Sequence, residues 1–106
     1  MMRLDVDGVL GLLDAGSSTC LLDVRSRSEY ADDGHIAGSV NLPLGALLDV
    51  PEAYADAAAI VCICAAGQRS AAAARVLRAA GYDAVYDLRG GYAAWHAAGL
   101  PVVVSV

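Results

Sequence analysis

The run Ala59-Ile60-Val61-Cys62-Ile63-Cys64 constrains the fold more than any other stretch of this chain. An unbroken apolar run of that length, rich in β-branched residues, reads as a strand buried on both faces. Such strands belong to parallel sheets covered by helices. The residues after it agree: a loop, Ala65-Ala66-Gly67-Gln68-Arg69, then Ser70 as the expected cap of a helix reaching Ala80 and closed by Gly81.

The rest of the chain repeats a βα rhythm. Asp5 is the expected N-cap of a helix to about Ala15, with an apolar stripe of Val6, Val9, Leu10 and Leu13, ended by Gly16-Ser17-Ser18. Cys20 to Val24 reads as a second buried strand. Ser26 to Ala31 reads as one or two helical turns, with Ser26 as cap, Glu29 at the capping-box position and Asp32-Asp33-Gly34 as the stop. Ser39-Val40-Asn41-Leu42 is a short strand ended by Pro43. Leu44 to Ala58 is a loose helical connection broken at Pro51. Ala84 to Leu88 is a further strand, and Gly90-Gly91 opens a helix that ends at Gly99. The pattern is α/β, with a parallel central sheet and helices on both faces. The 106 residues show no repeat, linker or composition break, so a single domain over 1–106 is expected.

Composition excludes some functions. The net charge is −5 and the chain has no basic run, which argues against binding nucleic acid or an anionic membrane. The longest apolar run, Ala57 to Ala66, is too short to span a bilayer. The N-terminus turns acidic at Asp5 and lacks a signal-peptide core, so a cytoplasmic location is expected. There the three cysteines are expected to be reduced. No paired metal-ligand spacing occurs among them and the two histidines, so no metal is expected. Few large apolar residues look exposed, and a monomer is the expectation.

Cys64 carries the chemistry. Ligands of open α/β sheets sit beyond the carboxyl ends of the strands, and Cys64 lies at that end of the most buried one. The helix start behind the loop favours negative charge, Arg69 adds a cation, and Gly67 allows a turn tight enough to aim N–H groups inward. Together these predict a thiol of lowered pKa and a covalent, cysteine-based reaction. A lone cysteine in this position would more often be inert core; the ordered strand, glycine loop, arginine and helix favour the nucleophile.

Cys64-Ala65-Ala66-Gly67-Gln68-Arg69-Ser70 resembles the six-residue active-site loop of rhodanese domains, with the serine that opens the next helix. Leu22-Asp23-Val24-Arg25 with Glu29-Tyr30 resembles the family's first signature, and Gly34 to Pro43 its second. Leu88 to Trp95 with Ala98 to Val102 resembles its C-terminal signature. The resemblance implies a three-layer α/β/α fold around a parallel, roughly five-stranded sheet. It also implies sulfur transfer by double displacement, without metal or organic cofactor. Cys64 would take a sulfane sulfur from thiosulfate or a persulfide. The N–H groups of Ala65, Ala66, Gly67, Gln68, Arg69 and Ser70 would hold the persulfide, and a thiol or cyanide would remove it. A protein could serve as donor or acceptor. Because Ala65, Ala66 and Gln68 are neutral where thiosulfate-active relatives often carry another basic residue, thiosulfate is expected to be a poor donor.

Asp23 and Arg25 are expected near the same face as Cys64, supporting the pocket by organising its loops, with Glu29 paired to an arginine. The resemblance makes His35 a fold-supporting residue rather than a general base. Trp95 reads as a core anchor and His96 as surface. Cys62 shares a face with Cys64 and, like Cys20, reads as core filler. Two rival functions remain. Cysteine phosphatases place five residues between Cys and Arg, whereas four intervene here. A non-catalytic binding or regulatory module would not need Cys64, Gly67 and Arg69.

Overall fold

The structure, a computed structural model, describes residues 3–16, 18–49 and 56–104. Five parallel strands form the central sheet: β1 (Arg3–Leu4), β2 (Thr19–Asp23), β4 (Val40–Asn41), β5 (Ala59–Ile63) and β6 (Val85–Leu88). Their order is β1-β6-β5-β2-β4, which puts the apolar run of β5 at the centre. The other elements are α1 (Val6–Asp14), α2 (Arg27–Asp32), a 3₁₀ helix (Leu44–Asp49), α3 (Gln68–Ala79) and α4 (Gly91–Ala97). Two further strands, β3 (His35–Ile36) and β7 (Val102–Val103), pair antiparallel in a separate ribbon.

The period of two along β5 divides its side chains between two cores. Ile60, Cys62 and Cys64 join Leu22, Val24 and Val85 on one face, under Ala73, Ala74 and Leu77 of α3. Val61 and Ile63 join Leu21 and Leu88 on the other, under Val9 of α1 and Trp95 of α4. The result is the expected three-layer α/β/α arrangement. Each fully buried Val, Leu or Ile here contributes about 1.5–3 kcal/mol. Because α3 meets the sheet largely through alanine, its axis can lie close, and its first turn comes down beside the end of β5.

Local signals operate where expected. Asp5 caps α1 through the Gly8 N–H, and Ser26 and Glu29 close a reciprocal capping box on α2. Gly34, at φ 85°, then turns the chain out of α2. Ser70, expected as the cap of α3, is not one. The cap position belongs to Gly67 at φ 108°, and the helix begins at Gln68. That places Ser70 in the third helical position, fully buried and turned toward the sheet. The connection after Pro43 is a 3₁₀ helix as far as Asp49. Pro51, where a break was expected, lies outside the described residues, as do Met1, Met2 and Ser17. Among the described residues, no helix is long and apolar enough to cross a membrane.

Candidate active site

Cys64 is the first residue after β5, and its side chain is 1% exposed. Two sets of backbone contacts shape the loop around it. On the outside, α4 abuts the loop: Tyr92 N–H donates to the Cys64 carbonyl at 2.8 Å, and Ala93 N–H donates to the Ala65 carbonyl at 3.1 Å. Gly91 permits this approach. It sits at φ 61°, and a Cβ there would fall 2.8 Å from the Ala65 carbonyl carbon and oxygen. With those two carbonyls drawn outward, the next amides turn toward the sulfur. Gly67 N–H donates to Cys64 Sγ at 3.0 Å.

Ser70 Oγ lies 3.4 Å from the sulfur. The thiol donates to that oxygen, and the thiolate accepts from the hydroxyl. Burial pushes the Cys64 thiol up. The Ser70 hydroxyl and the N–H groups of Ser70, Gly67 and Ala66 outweigh it, so the thiol lies below its ordinary range. Hydrogen bonds to a charged acceptor are the strong kind, which is why several outweigh the loss of solvent. Around the rim, Ala66 and Gln68 are exposed and Ala65 is half-buried, all without charge.

Arg69, expected to bring a cation to the sulfur, interacts with Cys64 through charge, but its strongest contacts are elsewhere. Its Nη1 and Nη2 donate to both carboxylate oxygens of Glu29, at 2.7 and 2.9 Å. This forked pair holds Glu29 down at about 2, chiefly through the Arg69 hydrogen bonds, and raises Arg69. Its visible consequence is to tie the start of α3 to α2. Asp23 and Arg25 are also away from the rim: they are 0% and 1% exposed and form a buried ion pair at 2.8 Å. Arg25 Nη2 donates to the Gly34 carbonyl at 2.7 Å, and its guanidinium carbon lies 4.8 Å from the Tyr92 ring centre. Burial alone would lower the Arg25 pKa, but Asp23 reverses that. The pair thus joins the end of β2 to the turn after α2 and to α4.

His35 is engaged structurally: Nδ1 is 2.8 Å from the Tyr30 carbonyl, and the ring stacks on Tyr30 at 3.7 Å. Trp95 is 3% exposed and donates to the Pro101 carbonyl, while His96 is exposed. Cys62 is fully buried and pushed up to about 12, and half-buried Cys20 to about 11, both by burial first of all. Neither is an accessible thiolate near neutral pH. Among the described residues, no group of His, Cys, Asp or Glu could hold a metal ion. Sequence reasoning missed Arg3, whose Nη2 donates to the Gly67 carbonyl at 2.7 Å. Only the pairing of β1 with β6 reveals it, since nothing local distinguishes a lone arginine near a chain end.

An α/β sheet that ends its central strand in a cysteine, with amides curled around the sulfur at a helix start, defines a class of proteins handling anionic or covalently bound groups. The chain belongs to the rhodanese-like domain family, whose model matches residues 5–98. It is 37% identical over 83 residues to an uncharacterized protein of Synechocystis, covering 78% of this chain and 46% of that protein. A second uncharacterized relative, from Bacillus subtilis, is 35% identical over 71% of this chain and 59% of its own length. The chain therefore spans about half the length of these curated relatives. Among solved structures it is similar to a Rhodopseudomonas palustris protein of unknown function described as a possible tyrosine phosphatase. That match has a TM-score of 0.87 and 28% identity over 97% of this chain and 85% of that one. It is also similar to a human single-domain sulfurtransferase, with a TM-score of 0.76 and 29% identity over 92% and 96% of the two chains. A thiosulfate sulfurtransferase from Pseudomonas aeruginosa gives a TM-score of 0.83 and 27% identity, over 97% of this chain and 19% of that one.

Proposed function

We propose that this chain is a sulfurtransferase in which Cys64 alternates between thiolate and persulfide. The observation that carries this reading is the convergence of the Ser70 hydroxyl and the Gly67 N–H on one buried sulfur at the end of β5. In the first step the Cys64 thiolate attacks the outer sulfur of a donor persulfide, R–S–SH. A sulfur–sulfur bond forms at Cys64, the donor's own S–S bond breaks, and the donor leaves as the thiol R–SH. In the second step a thiol or cyanide attacks the outer sulfur and releases the Cys64 thiolate. No electrons are gained or lost overall, and no metal or cofactor enters.

The donor proposed is a persulfide on a small thiol or a partner protein. Arg69 is held by Glu29, and the rim residues Ala65, Ala66 and Gln68 are neutral. A dianion such as thiosulfate finds no free guanidinium in the loop. The cell compartment proposed is the cytoplasm, where such thiols are abundant and Cys64 stays reduced.

The description of the Rhodopseudomonas palustris neighbour brings a second reading, phosphate-ester hydrolysis. Against it stand the four residues between Cys64 and Arg69 and the commitment of the Arg69 fork to Glu29. Intact-protein mass spectrometry after brief exposure to glutathione persulfide or thiosulfate, with Cys64→Ser as control, tests the proposal. The expected result is one added sulfur on wild type alone, removed by thiol or cyanide, with the persulfide the faster donor. Absence of loading from either donor refutes sulfur transfer. Cys64-dependent turnover of an aryl phosphate would put hydrolysis in its place.

A further inference from the structure

Arg3 makes its contacts far from its own place in the sequence. From the edge strand β1 its Nε donates to Asp87 Oδ2 at 2.9 Å, and its Nη2 lies 2.9 Å from the same oxygen. The same Nη2 donates to the Gly67 carbonyl at 2.7 Å. Gly67 is thereby held from both sides, its N–H on Cys64 Sγ and its carbonyl on Arg3. A glycine at positive φ is the residue freest to rotate. Fixing its carbonyl selects the one orientation that keeps the loop amides on the sulfur.

The partner carboxylate matters as well. Asp87 is 4% exposed and lies in register with Cys62 on β6 and β5. It shares the sheet face on which Cys64 follows two residues later. Left unpaired, it would place a buried negative charge on the same face as the thiolate. The remaining charged pairs nearby, Asp23 with Arg25 and Glu29 with Arg69, are each internally neutral. A planar guanidinium, with its donors fixed in a fork, serves a carboxylate and a carbonyl at once in a set geometry that a lysine ammonium does not impose.

We infer that Arg3 is a positioning residue for Cys64: by bridging Asp87 to the Gly67 carbonyl, it holds the loop in the form that receives the anionic sulfur. Its relevance to catalysis rests on the sulfurtransferase reading; its effect on Cys64 does not. The test is the pH profile of Cys64 alkylation by iodoacetamide in the full chain, located by peptide mass spectrometry. The variants are Arg3→Met, Arg3→Lys and Arg3→Met with Asp87→Asn. For Arg3→Met the midpoint should rise by up to about one unit, and the rate at neutral pH should fall by up to roughly threefold, since the remaining thiolate gains nucleophilicity as it gains basicity. Adding Asp87→Asn should recover part of the loss, because it removes the stray charge but leaves the carbonyl free. Arg3→Lys should lie between wild type and Arg3→Met. A lower unfolding temperature with an unmoved Cys64 midpoint would overturn the inference, since a plain structural strap predicts that. Should Arg3→Met not fold, the other two variants decide: an unmoved midpoint in both overturns it, and a raised one in either supports it. Alkylation uses no sulfur donor. Failed persulfide loading therefore strikes the proposed function alone, and an unmoved midpoint strikes the role of Arg3 alone.

Discussion

Ser70→Ala isolates the contribution of one hydroxyl to the reactivity of Cys64. Ser70 is fully buried, and among the groups that lower the Cys64 pKa its hydroxyl comes first. A hydrogen bond to a charged group is worth about 1.5–3 kcal/mol. The 3.4 Å contact is of ordinary length for sulfur, but sulfur is a weaker acceptor than oxygen, so the lower end applies, and about 1.4 kcal/mol is a tenfold change in thiolate population. The rate changes less than the population does. Nucleophilicity rises with basicity with a coefficient of about 0.4–0.5 in thiol–disulfide exchange, so the remaining thiolate is roughly threefold more reactive. Against a small neutral disulfide, the variant should react about threefold more slowly below its midpoint and about threefold faster on the high-pH plateau. The two profiles therefore cross. Stopped-flow measurement of pyridinethione release across pH reads this directly, because Cys20 and Cys62, pushed up to about 11 and 12, stay protonated over the range that matters. Thermal stability should hold, since alanine favours a helix interior and Cys64 keeps the Gly67 N–H. An unmoved midpoint, or a slower reaction at every pH without a crossing, would refute the claim that this hydroxyl stabilises the thiolate.

Three other perturbations test the frame around the site. Arg25→Met leaves Asp23 buried without its ion-pair partner and should cost about 3–5 kcal/mol, read as the shift in a urea unfolding curve; a loss below about 1 kcal/mol would mean the pair is dispensable. Gly91→Ala puts a Cβ 2.8 Å from the Ala65 carbonyl at a backbone of φ 61°. It should cost about 2–4 kcal/mol by overpacking and strain, and wild-type stability would disprove the tight approach of α4. The Glu29–Arg69 pair sets an acid response. Glu29 falls from an ordinary 4.5 to about 2 on folding, so its stabilisation is complete above about pH 4.5 and is lost as pH drops toward 2. With side chains 40% and 30% exposed, the pair is worth about 0.5–1 kcal/mol. The stability gap between wild type and Glu29→Gln should have that size at pH 6 and close near pH 2; a gap constant with pH would sink the assignment.

What the sequence disclosed was what local chemistry decides. The apolar runs that became β2, β5 and β6 carry their burial in their composition. The Ser26–Glu29 capping box needs only a four-residue span and formed as read. The antiparallel pairing of β3 with β7 and the strand β1 were not legible, because two residues have no periodicity and their partners lie far away; Arg3 pairs with Asp87 across 84 positions. Ser70 misled for a related reason. A serine before an alanine-rich helix is a good local cap, but the loop must curl its amides onto Cys64 first. Only Gly67, at φ 108°, makes that turn, which moves the helix start upstream of the serine.

The placement of the cations was the least legible feature, and it bears most on the chemistry. An arginine closing a cysteine loop reads as a charge meant for the substrate. Here Arg69 faces Glu29, Arg3 faces Asp87 and Arg25 faces Asp23, and these are the three salt bridges among the described residues. Each guanidinium near the site brings its own carboxylate, so their fields largely cancel a few ångströms away. The largest favourable influences on Cys64 are instead N–H and O–H dipoles aimed at the sulfur. Dipoles of that kind fall off steeply with distance and suit a compact single charge seated among them. A dianion needs a net positive field to repay its dehydration. Under the sulfurtransferase proposal, the same arithmetic disfavours phosphate and thiosulfate together and favours a persulfide sulfur as the group this loop would hold.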